Sequence, residues 1–412
     1  MTAGFVTGSG IECLIPHIRA AKTEEVRAIE SCLIFFRNAA LIEKMKIAMV
    51  TLLFPPIIAG SGKRFYEIGR RLSRKNEVHI YTVGVNGDAE EELDGMLIHR
   101  YGKFNALSAE SAYRSSVKFS INLFNCLRKN DYDVIDCNIV SKMPAYVSYI
   151  IARCKYIPFI ETWHEVMHVQ NFHLLNPIMG LPAFFMEFPI PNLADMNIAV
   201  SDTTRRRMIN LLNADSKKIV VISNGVDLEK FRKISVEKRY GRILYVGRLE
   251  RHKRVDVLIH AYKILKRRYK DAELIIVGDG SQRRRLMNLS RHVDVRFYNF
   301  LPEEKLIAVM KSAWVLVLPS VKEGQGIVLL ESMAAGTPPI AVQAEGSGVC
   351  DVIKNGYNGL LVSEEKIADA IQKLLSDGDM HASLRKNGMQ FVKNYDWNSI
   401  AAKVAELYEK MR

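Results

Sequence analysis

With 412 residues, 48% of them hydrophobic and 25% charged, the chain has the composition of a soluble globular protein and the length for two domains. Its net charge of +13 favours negatively charged partners (nucleic acid, anionic lipid headgroups or phosphorylated substrates) without choosing among them. No run of about 20 uninterrupted apolar residues is present, which excludes a membrane-spanning helix, and residues 1–20 lack the basic start and apolar core of a signal peptide. The six cysteines are scattered with no CxxC pair, as expected for buried thiols in a reducing cytoplasm.

Residues 1–44 precede the first α/β pattern and receive no role; Met45 is an alternative start, and 28–42, with Cys32, Leu33, Phe35 and Phe36, reads as a short amphipathic helix. From Met45 a strand at 45–50 runs into Pro55-Pro56-Ile57-Ile58-Ala59-Gly60-Ser61-Gly62, a loop whose Gly60 and Gly62 permit close approach of a substrate, and then a helix at 63–75. Gly62-Lys63 is not a P-loop, because Arg64 replaces the required Ser or Thr and Ile57 the first glycine. Strands are expected at 77–83, 96–101, 132–137, 158–163, 196–200 and 218–222 with helices between, the alternation of a doubly wound parallel sheet. The helix at 114–130 places Val117, Ile121 and Phe124 on one face beside Lys118, Arg128 and Lys129, which suits a solvated helix or a membrane contact. Asp131-Tyr132-Asp133 spells DxD at the amino end of a strand and reads as a solvated turn. The apolar segment 174–191 contains Pro177, Pro182, Pro189 and Pro191, so it packs as core or, with Phe184, Phe185 and Phe188, lines an acceptor groove or a membrane interface.

His164-Glu165-Val166-Met167-His168 satisfies the zinc pattern HExxH, but it follows a strand and so starts in a loop rather than within a helix. His173 is the nearest third ligand, at a spacing foreign to the longer zinc-protease pattern. His164 reads as a cleft residue contacting a sugar, with an ordinary hydrogen-bonded histidine as the alternative. Ser223-Asn224-Gly225 then marks a turn, with a hinge between 213 and 240, and a second α/β series has strands at 242–246, 273–277, 294–297, 314–318 and 339–342. Two such domains facing each other form a cleft.

In the second series Arg248 and Lys253 follow a strand and could reach one diphosphate, a bidentate fork beside a mobile point charge. Val277-Gly278-Asp279-Gly280 lacks the third glycine of a dinucleotide fingerprint and reads as a tight turn. The stretch Glu323-Gly324-Gln325-Gly326-Ile327-Val328-Leu329-Leu330-Glu331 brackets a glycine pair between two carboxylates at a strand-to-helix turn, where the backbone of Gly324 to Ile327 can face phosphate or sugar oxygens. Glu331, among apolar neighbours, can accept from both hydroxyls of a ribose; the ordinary alternatives are Glu323 complementing the helix dipole and Glu331 pairing with a Lys or Arg.

Taken together, these residues resemble the retaining GT-B glycosyltransferases of family 4, also called group 1. The similarity runs from Met45 to the C-terminus and is most specific at Gly247-Arg248 with Lys253, Gly278-Asp279-Gly280, Leu318-Pro319-Ser320, Glu323 to Glu331, Ala335-Gly336-Thr337-Pro338, Asn355 to Leu361 and Tyr395-Asp396-Trp397. It departs at Gln325, where an aromatic is common, and at Arg254, where glycine is common. The resemblance implies a GT-B fold of two Rossmann-like doubly wound domains across a cleft. Its divisions would be 1–44 as an extension, 45–220 on the acceptor side, 221–395 binding the nucleotide sugar, and 396–412 as a helix crossing back.

It further implies a hexosyltransferase that moves sugar from a nucleotide-diphosphate donor to a glycan or lipid-linked acceptor with retention, without cofactor or metal. Glu331 would hold ribose, Arg248 and Lys253 the diphosphate, Glu323 and His164 the sugar, and backbone near Phe300 and Leu301 the base. Gly60, Gly62 and the backbone of Gly324, Gln325, Gly326 and Ile327 complete the donor site. The expected location is the cytoplasm or the cytoplasmic face of a membrane. Open alternatives are an enzyme of the same fold that handles a nucleotide sugar without transferring it, such as an epimerase; a zinc hydrolase at His164 and His168; and a basic protein binding anionic membranes or nucleic acid, which lacks an aromatic RNA-reading motif.

Overall fold

The computed structural model describes residues 44–57, 59–103, 109–168 and 177–412, with the backbone alone at 109–114 and 177–179. The helix expected at 28–42, Ile58, His173 and the start of the apolar segment at 174–176 lie outside the described residues. Lys46–Arg412 forms one compact unit, which holds every strand of the described residues.

Eight strands form the first sheet: β1 Lys46–Val50, β2 Glu77–Val83, β3 Ala89–Leu93, β4 Met96–Tyr101, β5 Val134–Asn138, β6 Phe159–Trp163, β7 Met196–Ala199 and β8 Ile219–Val221. Their order is β3-β4-β2-β1-β5-β6-β7-β8, parallel except where β3 returns antiparallel on β4. The second sheet holds β9 Arg242–Val246, β10 Glu273–Val277, β11 Val295–Tyr298, β12 Val315–Leu318, β13 Pro339–Val342 and β14 Leu360–Val362, all parallel, ordered β11-β10-β9-β12-β13-β14. The inner strands are continuous apolar runs because both faces are covered: Ile47 to Val50 and Val315 to Leu318 are all buried. The unforeseen strands β3 and β14 lack that signal. β3 reads Ala-Glu-Glu-Glu-Leu and is almost wholly exposed, so it is held by the hairpin turn at Asp94 and Gly95, both at positive φ, rather than by burial.

Helix α1 Gly60–Leu72 starts three residues earlier than its composition suggests, and the Lys63 amide already donates to Ala59 at 2.9 Å. On helix α2 Ala109–Lys129, Phe119, Leu123 and Leu127 face the core, whereas Ile121 and Phe124 are turned to solvent. Helix α3 Pro177–Glu187 carries Phe185 largely exposed. Ser201 caps helix α4 Asp202–Leu212, its hydroxyl accepting from the Thr204 amide at 3.1 Å.

The chain crosses back at its end. Asp396 caps helix α5 Trp397–Met411, and the preceding strand-like pairing of Val226 with Asp396 brings Trp397 into full burial against Gly225, where a β-carbon would lie 2.8 Å from the indole. About three turns on, the Tyr408 hydroxyl donates to Asp136 Oδ2 of β5 at 2.5 Å, and Thr162 of β6 donates to the same carboxylate at 2.9 Å.

Burial raises the Asp136 carboxyl to about 6, against the bonds from Tyr408 and Thr162 and the Arg64 charge, which all act downward. A folded-state value above the unfolded one means the folded chain holds more protons between about pH 4 and 6, so this group's stabilising contribution is lost as pH rises through that window. Asp136→Asn retains an oxygen for Tyr408 and removes that titration. Thermal melts should therefore show the variant gaining on wild type from pH 4 to 6, on the order of 2–3 kcal/mol, with parallel curves counting against the burial.

Candidate functional site

From β9 the chain moves outward to β10 and β11, and from β12 it moves the other way to β13 and β14, so the loops after β9 and β12 share the switch point of the second sheet. Ligands of open α/β sheets sit in that crevice. The two loops are tied by the Val321 amide donating to the His252 carbonyl at 3.1 Å, and by Lys253 Nζ donating to Glu323 Oε1 at 2.7 Å. Both side chains of that pair are nearly buried, at 13% and 12% exposure. Arg248 is exposed, and its carbonyl accepts from the Tyr245 hydroxyl at 2.8 Å. Burial, then the Lys253 and Arg248 charges, push the His252 imidazole down to about 4, while Glu323 and Glu165 act upward; these groups share one electrostatic neighbourhood.

The loop then closes onto the first sheet. Gly324 has no β-carbon, and one placed there would lie 2.0 Å from the His164 carbonyl oxygen, which follows β6. Its own carbonyl accepts from Ser201 Oγ at 2.8 Å. Gln325, expected to face a donor, is buried and accepts from the Asn224 amide at 2.8 Å, so its side chain braces the loop against the hinge. Gly326, at φ 84°, turns the chain into helix α6 Ile327–Ala334, which begins without a side-chain cap. (This helix precedes α5 in the chain.) Beside Glu323 the cavity lined by Glu165, Arg207, Lys322 and Glu345 holds about 20 Å³, room for one water.

The first turn of helix α1 lies against the start and middle of α6. A β-carbon at Gly60 would sit 3.5 Å from Ile327 Cδ1, and Lys63 Nζ is ion-paired with Glu331 Oε1. Burial works against the Lys63 ammonium, but the Glu331 carboxylate more than offsets it, so the pKa lies above the ordinary value. The next residue, Arg64, is fully buried and donates to the Ser223 carbonyl at 2.7 Å, and Arg70 reaches Asp227 Oδ2 at 2.8 Å. Gly62 packs on its own loop, with the Leu53 oxygen 2.5 Å from where a β-carbon would stand.

His164 lies at the junction. Burial and the Arg64 charge push its imidazole down to about 3, so it is neutral at working pH, and its Nε2 is buried without a hydrogen-bond partner among the described residues. His168 does not share a helix with it: residues 164–168 form a loop, and the His168 ring packs on Phe184 at 4.9 Å. Among the described residues no group of three or more His, Cys, Asp or Glu could hold a metal ion. Asp131 is a surface residue paired with Lys155 at 2.8 Å, and the Asp133 carboxylate accepts from the Lys46 amide at 2.7 Å. Phe300 is 63% exposed beyond β11, with Leu301 packed against the second core.

The structure thus gathers Lys253, Glu323, Gly324, Gly326, Ile327, Glu331, Gly60 and His164 about one closed junction, with Arg248 on its rim. Sequence reasoning missed Lys63, Arg64, Ser201 and Asn224. The one available signal was a basic pair directly after the glycine loop, which the P-loop pattern tests only for its Ser or Thr.

Two family descriptions match consecutive parts of the chain, Glycosyltransferase Family 4 over residues 58–230 and Glycosyl transferases group 1 over residues 227–391. An uncharacterized glycosyltransferase of Methanocaldococcus jannaschii is 30% identical over 394 residues, covering 89% of this chain and 98% of its own length. The chain belongs to the group 1 glycosyltransferases. A D-inositol 3-phosphate glycosyltransferase of Corynebacterium aurimucosum is 27% identical over 88% of this chain and 96% of its own. Among solved structures, sucrose-phosphate synthase from Thermosynechococcus elongatus superposes with a TM-score of 0.78 at 23% identity, over 89% of this chain and 99% of its own. The Anabaena protein HepE in complex with UDP-glucose does so at 0.69 and 18% identity, over 89% and 100%. The two facing parallel sheets of this glycosyltransferase are therefore the GT-B fold.

Because Gly324 touches the His164 carbonyl through bare backbone, Gly324→Ala should force the facing loops apart. The expected cost is about 1–3 kcal/mol of stability with a larger radius of gyration in small-angle scattering. An unchanged radius and melting temperature would show that the contact does not hold the sheets together.

Proposed function

We propose that this glycosyltransferase moves a hexose from a nucleotide-diphosphate sugar to a glycan or lipid-linked acceptor, with retention of anomeric configuration. The observation carrying this reading is the meeting of Lys253, Glu323, Glu331 and His164 at the switch point of the second sheet, facing the carboxyl end of β6. In this reading Glu331 takes the ribose hydroxyls, and Arg248 and Lys253 face the diphosphate. When the bond from the anomeric carbon to phosphate oxygen breaks, the leaving diphosphate gains charge beside those two cations, which do the work a metal would otherwise do.

Glu323 and the neutral His164 bind sugar hydroxyls from opposite sheets; the partnerless His164 Nε2 is a buried atom that such a hydroxyl would satisfy. The acceptor hydroxyl attacks from the face the nucleotide leaves. Backbone at Phe300 and Leu301 and at Gly324 to Ile327 completes the donor contacts. The first sheet, 45–220, would present the acceptor and the second, 221–395, the donor, with closure about the hinge excluding water. HepE is described in complex with UDP and with UDP-glucose, and starch synthase IV from Arabidopsis thaliana with ADP and acarbose, which supports a nucleotide-sugar donor for the fold.

No described helix is long and apolar enough to cross a membrane. Ile121 and Phe124 are nonetheless exposed on α2, beside Lys118, Arg128 and Lys129, a pattern suited to anionic lipid at the cytoplasmic face.

Titration calorimetry with UDP, GDP and ADP in EDTA tests the site: wild type should bind one of them selectively, and Glu331→Ala should weaken it at least about tenfold by removing two charge-assisted hydrogen bonds. Binding of none, or equal binding by the variant, sinks the reading; product anomeric configuration by NMR then decides retention. For the lipid contact, Ile121→Ser with Phe124→Ser should abolish sedimentation with phosphatidylserine vesicles while leaving nucleotide affinity unchanged. Co-sedimentation equal to wild type would place the contact elsewhere.

A further inference from the structure

The Glu331 carboxylate is already engaged. Its Oε1 is ion-paired with the ammonium of Lys63, which stands in the first turn of α1 on the opposite sheet. The Glu331 side chain is 12% exposed and that of Lys63 38%, so a nearly enclosed carboxylate meets a partly exposed lysine. An ionised carboxylate in such a place needs a donor, and a lysine on a flexible stem supplies one without any ligand.

A ribose presents two hydroxyls, one to each oxygen of a carboxylate in the bidentate arrangement, and Oε1 is the oxygen that Lys63 holds. Gly60 brings α1 within ordinary contact of Ile327, so the helix carrying Lys63 lies directly against the start of α6.

We propose that Lys63 is a latch displaced by the donor: the ammonium and the nucleotide ribose compete for Glu331, so that donor entry breaks the ion pair joining α1 to α6. This inference rests on Glu331 being the ribose ligand. Its consequence is that each binding event exchanges an interdomain ion pair for a ligand contact. The rest of the α1 seam, Arg64 on Ser223 and Arg70 on Asp227, makes no use of Glu331 and survives the exchange, so the sheets remain joined at the hinge while the far end of the helix is released.

Competition lowers apparent affinity by the fraction of protein in which the site is free. An ion pair with one partner more than a third exposed is weak, so the latch reduces ribonucleotide affinity by roughly twofold to sixfold.

The test compares wild type, Lys63→Met and Glu331→Gln by calorimetry, using the nucleoside diphosphate that wild type binds best and its 2′,3′-dideoxy analogue. Lys63→Met should bind the ribonucleotide roughly twofold to sixfold more tightly than wild type and the dideoxy analogue no more tightly, since the latter never claims Glu331. Unchanged or weaker ribonucleotide binding by Lys63→Met overturns the latch. Glu331→Gln separates the two ideas: if it binds both nucleotides as wild type does, the ribose role of Glu331 fails, whereas a selective loss for the ribonucleotide keeps that role and leaves Lys63→Met to decide the latch. A melt of each variant in the absence of nucleotide confirms folding.

Discussion

The structure depends on backbone touching backbone between two sheets. Gly324 lies so close to the His164 carbonyl that any β-carbon would overlap it, and Gly348 packs equally close on the other side of the same loop, its amide bonded to the Glu323 carbonyl at 2.8 Å. Side chains would hold the sheets several ångströms further apart and fill the crevice with their own atoms. With glycine there, the loop that carries Glu323 reaches the end of β6, and Ser201 of the first domain donates to the Gly324 carbonyl. The positive φ of Gly326 then aims helix α6 back into its own domain.

Along the rest of the junction, helix α1 supplies cations. Lys63 meets Glu331, Arg64 meets the hinge carbonyl of Ser223, and Arg70 and Arg71 share Asp227 and the almost fully buried Glu67. Removing one member of a buried charge network leaves the others uncompensated, which makes such seams specific about how two bodies meet even where their net contribution to stability is small. The terminal helix completes the joint. It carries the chain back to the first sheet through Trp397 against Gly225 and Tyr408 on Asp136. The hinge is thereby bracketed by two helices, one on each side of it in sequence.

The electrostatics of the site follow from this closure. Glu323 and Glu331 are both nearly buried, and each already holds a lysine, Lys253 from its own domain and Lys63 from the other. Each carboxylate is thus supplied with a donor by the protein itself. The His164 imidazole, desolvated and facing the Arg64 charge, stays neutral and offers hydrogen bonding rather than charge.

Most of the framework was legible in the chain itself. β1 and β9 are nearly unbroken apolar runs and β2, β4 and β9 each stop at a glycine, so these strands stand close to where the sequence puts them, whereas β3, an acidic edge strand, carries no such signal. The glycine loop, the paired glutamates and the Arg248 to Lys253 turn are local in sequence, and their spacing marks them as candidates. What only the tertiary structure decided is which partner each charge has: that Glu331 holds Lys63, 268 positions away, that Gln325 braces Asn224, and that Tyr408 caps Asp136. The physical reason is range. Hydrophobic periodicity and turn chemistry act over a few residues and specify elements, but an ion pair or a backbone contact across a cleft depends on how two finished sheets are brought face to face, and no local pattern encodes that distance.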